Sequence, residues 1–159
     1  MRTSYRHAGL GLLLAALPCL SAATAWAETP AQACARIGTD DTTRPIPASL
    51  VPAAQRLFGI TAPAEVVERL TLYRCLEGKV LLCTLGANLP CGKANRARSL
   101  PGASQFCRQS PGADVIPAYA TGHDTIYRWR CEGTQAVPGE PVEALDARGF
   151  IARLWKPAG

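Results

Sequence analysis

The chain has 159 residues, 17 Lys and Arg against 12 Asp and Glu, and 48% hydrophobic residues. This length suits one domain with a modest core. The formal charge of +5 is too mild for a nucleic-acid surface, and two histidines exclude a site built from several imidazoles.

Residues 1–27 have the three-part layout of an export signal. Arg2 and Arg6 supply the positive start, five leucines fill residues 10–17, and Ala25-Trp26-Ala27 offers small residues to a signal peptidase. The cut is expected before Glu28. The apolar stretch falls short of the ~20 residues a spanning helix needs. Cys19 raises a lipid-anchor alternative, but it follows Pro18 where a small residue is expected. No later segment reads as transmembrane. Cutting 27 residues from 159 leaves 132, and losing Arg2 and Arg6 leaves 15 basic against 12 acidic residues, a net +3.

Residues 28–63 read as an N-terminal arm with one short helix, and residues 64–159 as a β-rich domain. Residues 28–47 look loop-like, with Pro45 and Pro47. Asp40 and Asp41 either offer carboxylates to a cation or lie in a solvated turn beside Arg44. Ser49 as N-cap, Pro52 in the first turn and Gly59 at the exit outline an amphipathic helix. A strand is expected from Val66, with a second helix over residues 64–70 as the alternative. Tyr73-Arg74-Cys75, at the end of that segment, and residues 80–85 flank a turn near Glu77-Gly78 and form the clearest hairpin.

Residues 86–105 read as a long polar loop tied down at Cys91, ending in a short helix over residues 104–109 that turns Phe106 and Cys107 inward. A strand across residues 115–120 follows, interrupted by Pro117. Residues 125–131 form a second clear strand, with Tyr127, Trp129 and Cys131 on one face and Arg128 and Arg130 on the other. Further strands are expected at residues 142–145 and 149–155. Tyr73-Arg74-Cys75-Leu76-Glu77-Gly78 echoes Trp129-Arg130-Cys131-Glu132-Gly133, which reads as a sulfur-stapled strand end beside a tight turn used twice.

Six cysteines remain beyond the signal: Cys34, Cys75, Cys83, Cys91, Cys107 and Cys131. None forms Cys-x-x-Cys, so redox-pair, zinc-knuckle and haem-attachment motifs are absent. In an exported chain they read as a disulfide framework, with the pairing left open. The expected fold is a small α+β domain, mainly β with one or two short helices, built as a disulfide-stapled antiparallel sheet or partial barrel.

Two candidate sites emerge. His123 beside Asp124 offers a general base to a small periplasmic hydrolase. Adjacent side chains diverge, and no nucleophile elbow accompanies them. Carboxylate pairs drawn from Glu132, Glu140 and Glu143 stand close to noise for glycoside cleavage. The second candidate is a binding surface: Lys93, Asn95, Arg96 and Arg98 in the long loop, Arg128 and Arg130 on a strand, and His123 near them. If its strand adjoins that of Arg128 and Arg130, Arg74 completes a cationic stripe.

Tyr73-Arg74-Cys75 with Gly78, the run from Thr84 to Asn95 containing Leu89-Pro90-Cys91-Gly92-Lys93, the run Ala120-Thr121-Gly122-His123-Asp124-Thr125-Ile126-Tyr127 with Trp129-Arg130-Cys131, and Asp146-Ala147-Arg148-Gly149-Phe150 occur in order. Together they resemble a family of exported bacterial cysteine-rich proteins without an assigned activity. The resemblance implies a shared fold and location and brings no reaction with it. Tyr73, Cys75 and Gly78 are also similar to the Tyr-x-Cys-x-x-Gly strand and turn of periplasmic C-type lysozyme inhibitors, which are small β-barrels. The inhibitory loop of that family has no counterpart here, so no inhibitory residue carries over.

The expectation is an exported, non-enzymatic, monomeric binding module, periplasmic or secreted, without cofactor. It would recognise an envelope protein or an anionic glycan through residues 86–101 and the flanking arginines.

Overall fold

The computed structural model describes residues 27–86 and 88–159. The expected export signal, with Cys19, lies outside the described residues apart from Ala27. Among the described residues, no helix is long and apolar enough to cross a membrane.

The chain forms a small α+β domain with three disulfides and two antiparallel sheets, neither closed into a barrel. Five short α-helices appear among the described residues, more than the one or two expected. The first, α1, spans Pro30–Ile37. Thr29 caps it reciprocally with Gln32, and Pro30 fits the first position. Residues 28–47 are therefore not the expected loop: α1 is followed by β1, Asp40–Pro45. Both elements hid from periodicity because α1 fully buries only Cys34, and β1 is polar up to its last residue, Pro45.

A 3-10 turn at Ala48–Leu50 leads into α2, Val51–Phe58, which ends at left-handed Gly59. Ser49 lies inside that turn and is not the cap of α2. The next segment takes the helical alternative, α3 at Ala64–Leu70. Strands β2 (Thr71–Leu76) and β3 (Lys79–Thr84) follow as the expected hairpin. Its two-residue turn places Glu77 and Gly78 at φ 52° and 77°, the pattern that matches the twist of a tight hairpin.

Helix α4 spans Pro101–Gln109 and buries Ala103 and Cys107, one turn apart. The strand expected at residues 115–120 is replaced by α5, Ala118–Thr121. Two backbone bonds, Ile116 N to Trp129 O and Cys131 N to Ala113 O, still run this segment beside the next strand. Strands β4 (Tyr127–Glu132) and β5 (Gln135–Pro141) form the second hairpin. The strand expected at residues 142–145 is displaced to β5, whose Pro138 and Pro141 read as breakers. A two-stranded sheet tolerates them because one edge has no ladder partner. In place of a strand at residues 149–155, a 3-10 turn at Ala152–Leu154 leads to a short β6, Lys156–Pro157.

The larger sheet has the order β1-β2-β3-β6. Alternation along β3 sends Val80 and Leu82 to one core, with α1, α2 and α3, and Leu81 and Cys83 to a second, with Phe150, Ile151, Leu154 and Trp155. A third core lies between α4 and β4, around Ala103, Cys107, Ile116, Trp129 and Cys131. Each core holds one complete bridge: Cys34–Cys75, Cys83–Cys91 and Cys107–Cys131 respectively.

Candidate functional site

The loop after β3 is stitched down along its length. Cys83–Cys91 closes its first half. Ala94 N then donates to Gly149 O, Asn95 N to Asp124 O, and Ile126 N to Asn95 O. The Asn95 carboxamide accepts from Ala97 N at 2.9 Å and shapes the next turn. Asn95 thus braces the loop against the entry to β4.

Lys93 is also committed. Its Nζ lies 2.7 Å from an Asp41 carboxylate oxygen, and the Arg148 guanidinium grips the same carboxylate at 2.9 and 3.0 Å. Arg148, and then Lys93, hold the Asp41 carboxyl well below the usual carboxylate range. The Thr42 amide, and then Arg44, lower that of Asp40 to about 2. Both carboxylates considered for a cation are therefore occupied by the chain's own cations.

Arg74 does not join a cationic stripe. Its side chain is wholly buried, its Nη2 pairs with Asp146, and its guanidinium carbon lies 4.1 Å from the Phe150 ring centre and 4.6 Å from that of Trp155. Strands β2 and β4 belong to different sheets. Arg74 is interior because the C-terminal segment covers its face of β2.

Arg128 and Arg130 do lie together, exposed on the outer face of β4, while Tyr127, Trp129 and Cys131 turn toward α4. They line a cleft of about 240 Å³ with Asp114, Gly139, Glu140 and Val142. Gly139 lets β5 lie close against β4 beneath it, since a Cβ there would come within 3.1 Å of Arg128 O. Arg130 also pairs with Glu132. Arg96 and Arg98 are exposed in the loop, and the Arg98 guanidinium sits 5.1 Å over the Tyr127 ring. Tyr127 and Arg128 are neighbours in a strand and face opposite ways. The predicted arginines therefore form two groups, one on the loop and one in the cleft.

His123 is an exposed side chain in the turn after α5 and is not part of the cleft at Arg128. Gly122 before it adopts φ 85°. The next backbone carbonyl, of Asp124, accepts from Asn95.

The sequence reading missed a second cleft, of about 250 Å³, between α4 and α5. It is lined by Gly102, Gln105, Phe106, Gln109, Tyr119 and Ala120. Tyr119 is 82% exposed, an unusual position for so large a ring. The Pro117 and Gly122 that bracket it were its only sequence signal, and they marked a break without showing which way the ring points.

Comparison of the chain with protein-family models, curated proteins and solved structures returns no match.

Proposed function

We propose that this chain is an exported, non-enzymatic module that binds a protein partner outside the cytosol, in the periplasm or after secretion. The observation that carries the reading is the cleft on β4, where Arg128 and Arg130 stand exposed beside Asp114 and Glu140. Two guanidiniums suit the carboxylates of a partner. The neighbouring acidic groups favour a protein of mixed charge over a uniformly anionic glycan. The Cys107–Cys131 bridge ties β4 to α4, so the surface is held in shape before binding and little ordering entropy is lost. Three intramolecular bridges fit an oxidising compartment.

Arg96 and Arg98 form the accessory group. Lys93 is left out, because its ion pair with Asp41 makes it part of the loop's bracing. The hydrolase alternative draws no support from the exposed position of His123.

The test is affinity capture from envelope extract with the mature, oxidised protein, followed by measured binding of the captured partner. Arg128→Ala/Arg130→Ala is expected to weaken binding at least ~tenfold, and added salt to weaken the parent more than the variant. A partner held equally well by both proteins would remove the cleft from the reading. Failure to retain any protein specifically would remove the module itself.

A further inference from the structure

We infer that the cleft between α4 and α5 is a binding site for an uncharged glycan, with one pyranose ring seated against Tyr119. This site is separate from the arginine cleft and does not rest on the reading given for it.

The argument starts from what lines the cleft. No charged side chain is among Gly102, Gln105, Phe106, Gln109, Tyr119 and Ala120. An ionic ligand would find no counter-charge there. Gln105 and Gln109 are exposed one helical turn apart, so both carboxamides rise on the same face of α4. Each offers two N–H donors and a carbonyl acceptor, the complement of adjacent sugar hydroxyls. Tyr119 supplies a flat apolar face for the C–H side of a pyranose.

The ring is also pre-set. Phe106 meets it edge to face, with centres 6.2 Å apart and planes at 68°. Gly102 lets α5 close on α4: a Cβ there would lie 2.3 Å from Ala120 O. The volume of about 250 Å³ is below that of a drug-sized pocket and suits one ring of a longer chain. An apolar peptide side chain would also cover Tyr119, but it would bury the two carboxamides without hydrogen-bond partners.

The experiment titrates the mature, oxidised protein with two probes, chitotetraose and cellotetraose. Calorimetry reads affinity, and amide chemical shifts report location. Saturable binding of at least one probe is expected, with shifts centred on residues 102–109 and 118–120. Tyr119→Ala should weaken binding ~tenfold or more, Gln105→Ala/Gln109→Ala several-fold, and Tyr119→Phe far less. Arg128→Ala/Arg130→Ala should bind the probe as the parent does. Because Tyr119 is so exposed, its removal is expected to cost little more than its contact with Phe106 and to leave the protein folded, which separates lost binding from lost folding. If neither tetrasaccharide binds at millimolar concentration, or Tyr119→Ala binds as tightly as the parent, the inference fails.

Discussion

Arg74 and Asp146 stand 72 residues apart in sequence and form the most deeply buried ion pair among the described residues, with the arginine side chain fully enclosed and the aspartate 12% exposed. Asp146 also accepts from the backbone amides of Arg148 and Phe150, so one carboxylate both neutralises a core charge and shapes the turn that delivers Phe150. Among the described residues, Nε and Nη1 of Arg74 have no hydrogen-bond acceptor. The Phe150 and Trp155 rings offset part of that cost.

Removing the charge of Asp146 alone should therefore be severe. Asp146→Asn keeps the shape and strands a buried cation, at an expected cost of ~3–5 kcal/mol. Adding Arg74→Met to that variant should recover part of the loss, because no charge is then left unpaired. Urea unfolding midpoints at constant slope measure both. Equal stability of the single and double variants would show that the pair carries no charge burden.

The three bridges should differ in worth. Cys34–Cys75 spans 41 residues, Cys107–Cys131 spans 24 and Cys83–Cys91 only 8. Restriction of the unfolded chain then predicts losses of ~4, ~3.5 and ~2.5 kcal/mol when each pair becomes alanine. Thermal or denaturant unfolding of the three double variants tests the order. A reversed order would mean that native packing around the sulfurs outweighs chain entropy.

Acid should loosen the junction of β1, the loop and the C-terminal segment. The folded carboxyl of Asp41 is depressed below its ordinary 3.8 by Arg148 and Lys93, and that of Asp40 to about 2 by the Thr42 amide and Arg44. A depressed folded value means the stabilisation is present above the unfolded value and is lost as pH falls through the folded one. Stability is thus expected to fall from about pH 4 downward. Asp41→Asn should be less stable than the parent at neutral pH and lose less on acidification. Unfolding midpoints across that range decide it, and parallel curves would rule the Asp41 contribution out.

Gly102→Ala should open the α4–α5 cleft without touching its polar groups. The added methyl would meet Ala120 O, a backbone atom that can yield only if α5 moves. An expected loss of ~1–3 kcal/mol follows from such overpacking. It should come with altered tyrosine signals in near-ultraviolet circular dichroism, because Tyr119 rides on α5. An unchanged spectrum and midpoint would mean the two helices are not held together at that contact.

Much of the framework was legible along the chain. The hairpin at Glu77-Gly78, the inward face of β4 and the helix carrying Cys107 follow from alternation, turn residues and one-turn spacing, all local properties. So does the use of sulfur as bracing. The cap Thr29-x-x-Gln32 is equally local, but the helix it starts fully buries only Cys34 and so shows little apolar periodicity. Residues 135–141 were obscured by prolines that only an edge position tolerates.

What no local pattern settled is what covers each surface. Tyr73-Arg74-Cys75 and Trp129-Arg130-Cys131 are nearly the same words, and each ends a first hairpin strand with a bridged cysteine. Yet Arg74 is enclosed and Arg130 stands in solvent. The difference is made by Phe150, Trp155 and Asp146, which close over β2, whereas among the described residues the outer face of β4 has no such cover. Backbone hydrogen bonding and side-chain alternation act within a few residues and can be read in order. Burial, the pairing of sulfurs and the partner of a buried charge depend on segments dozens of residues away, and only the packed chain brings them together.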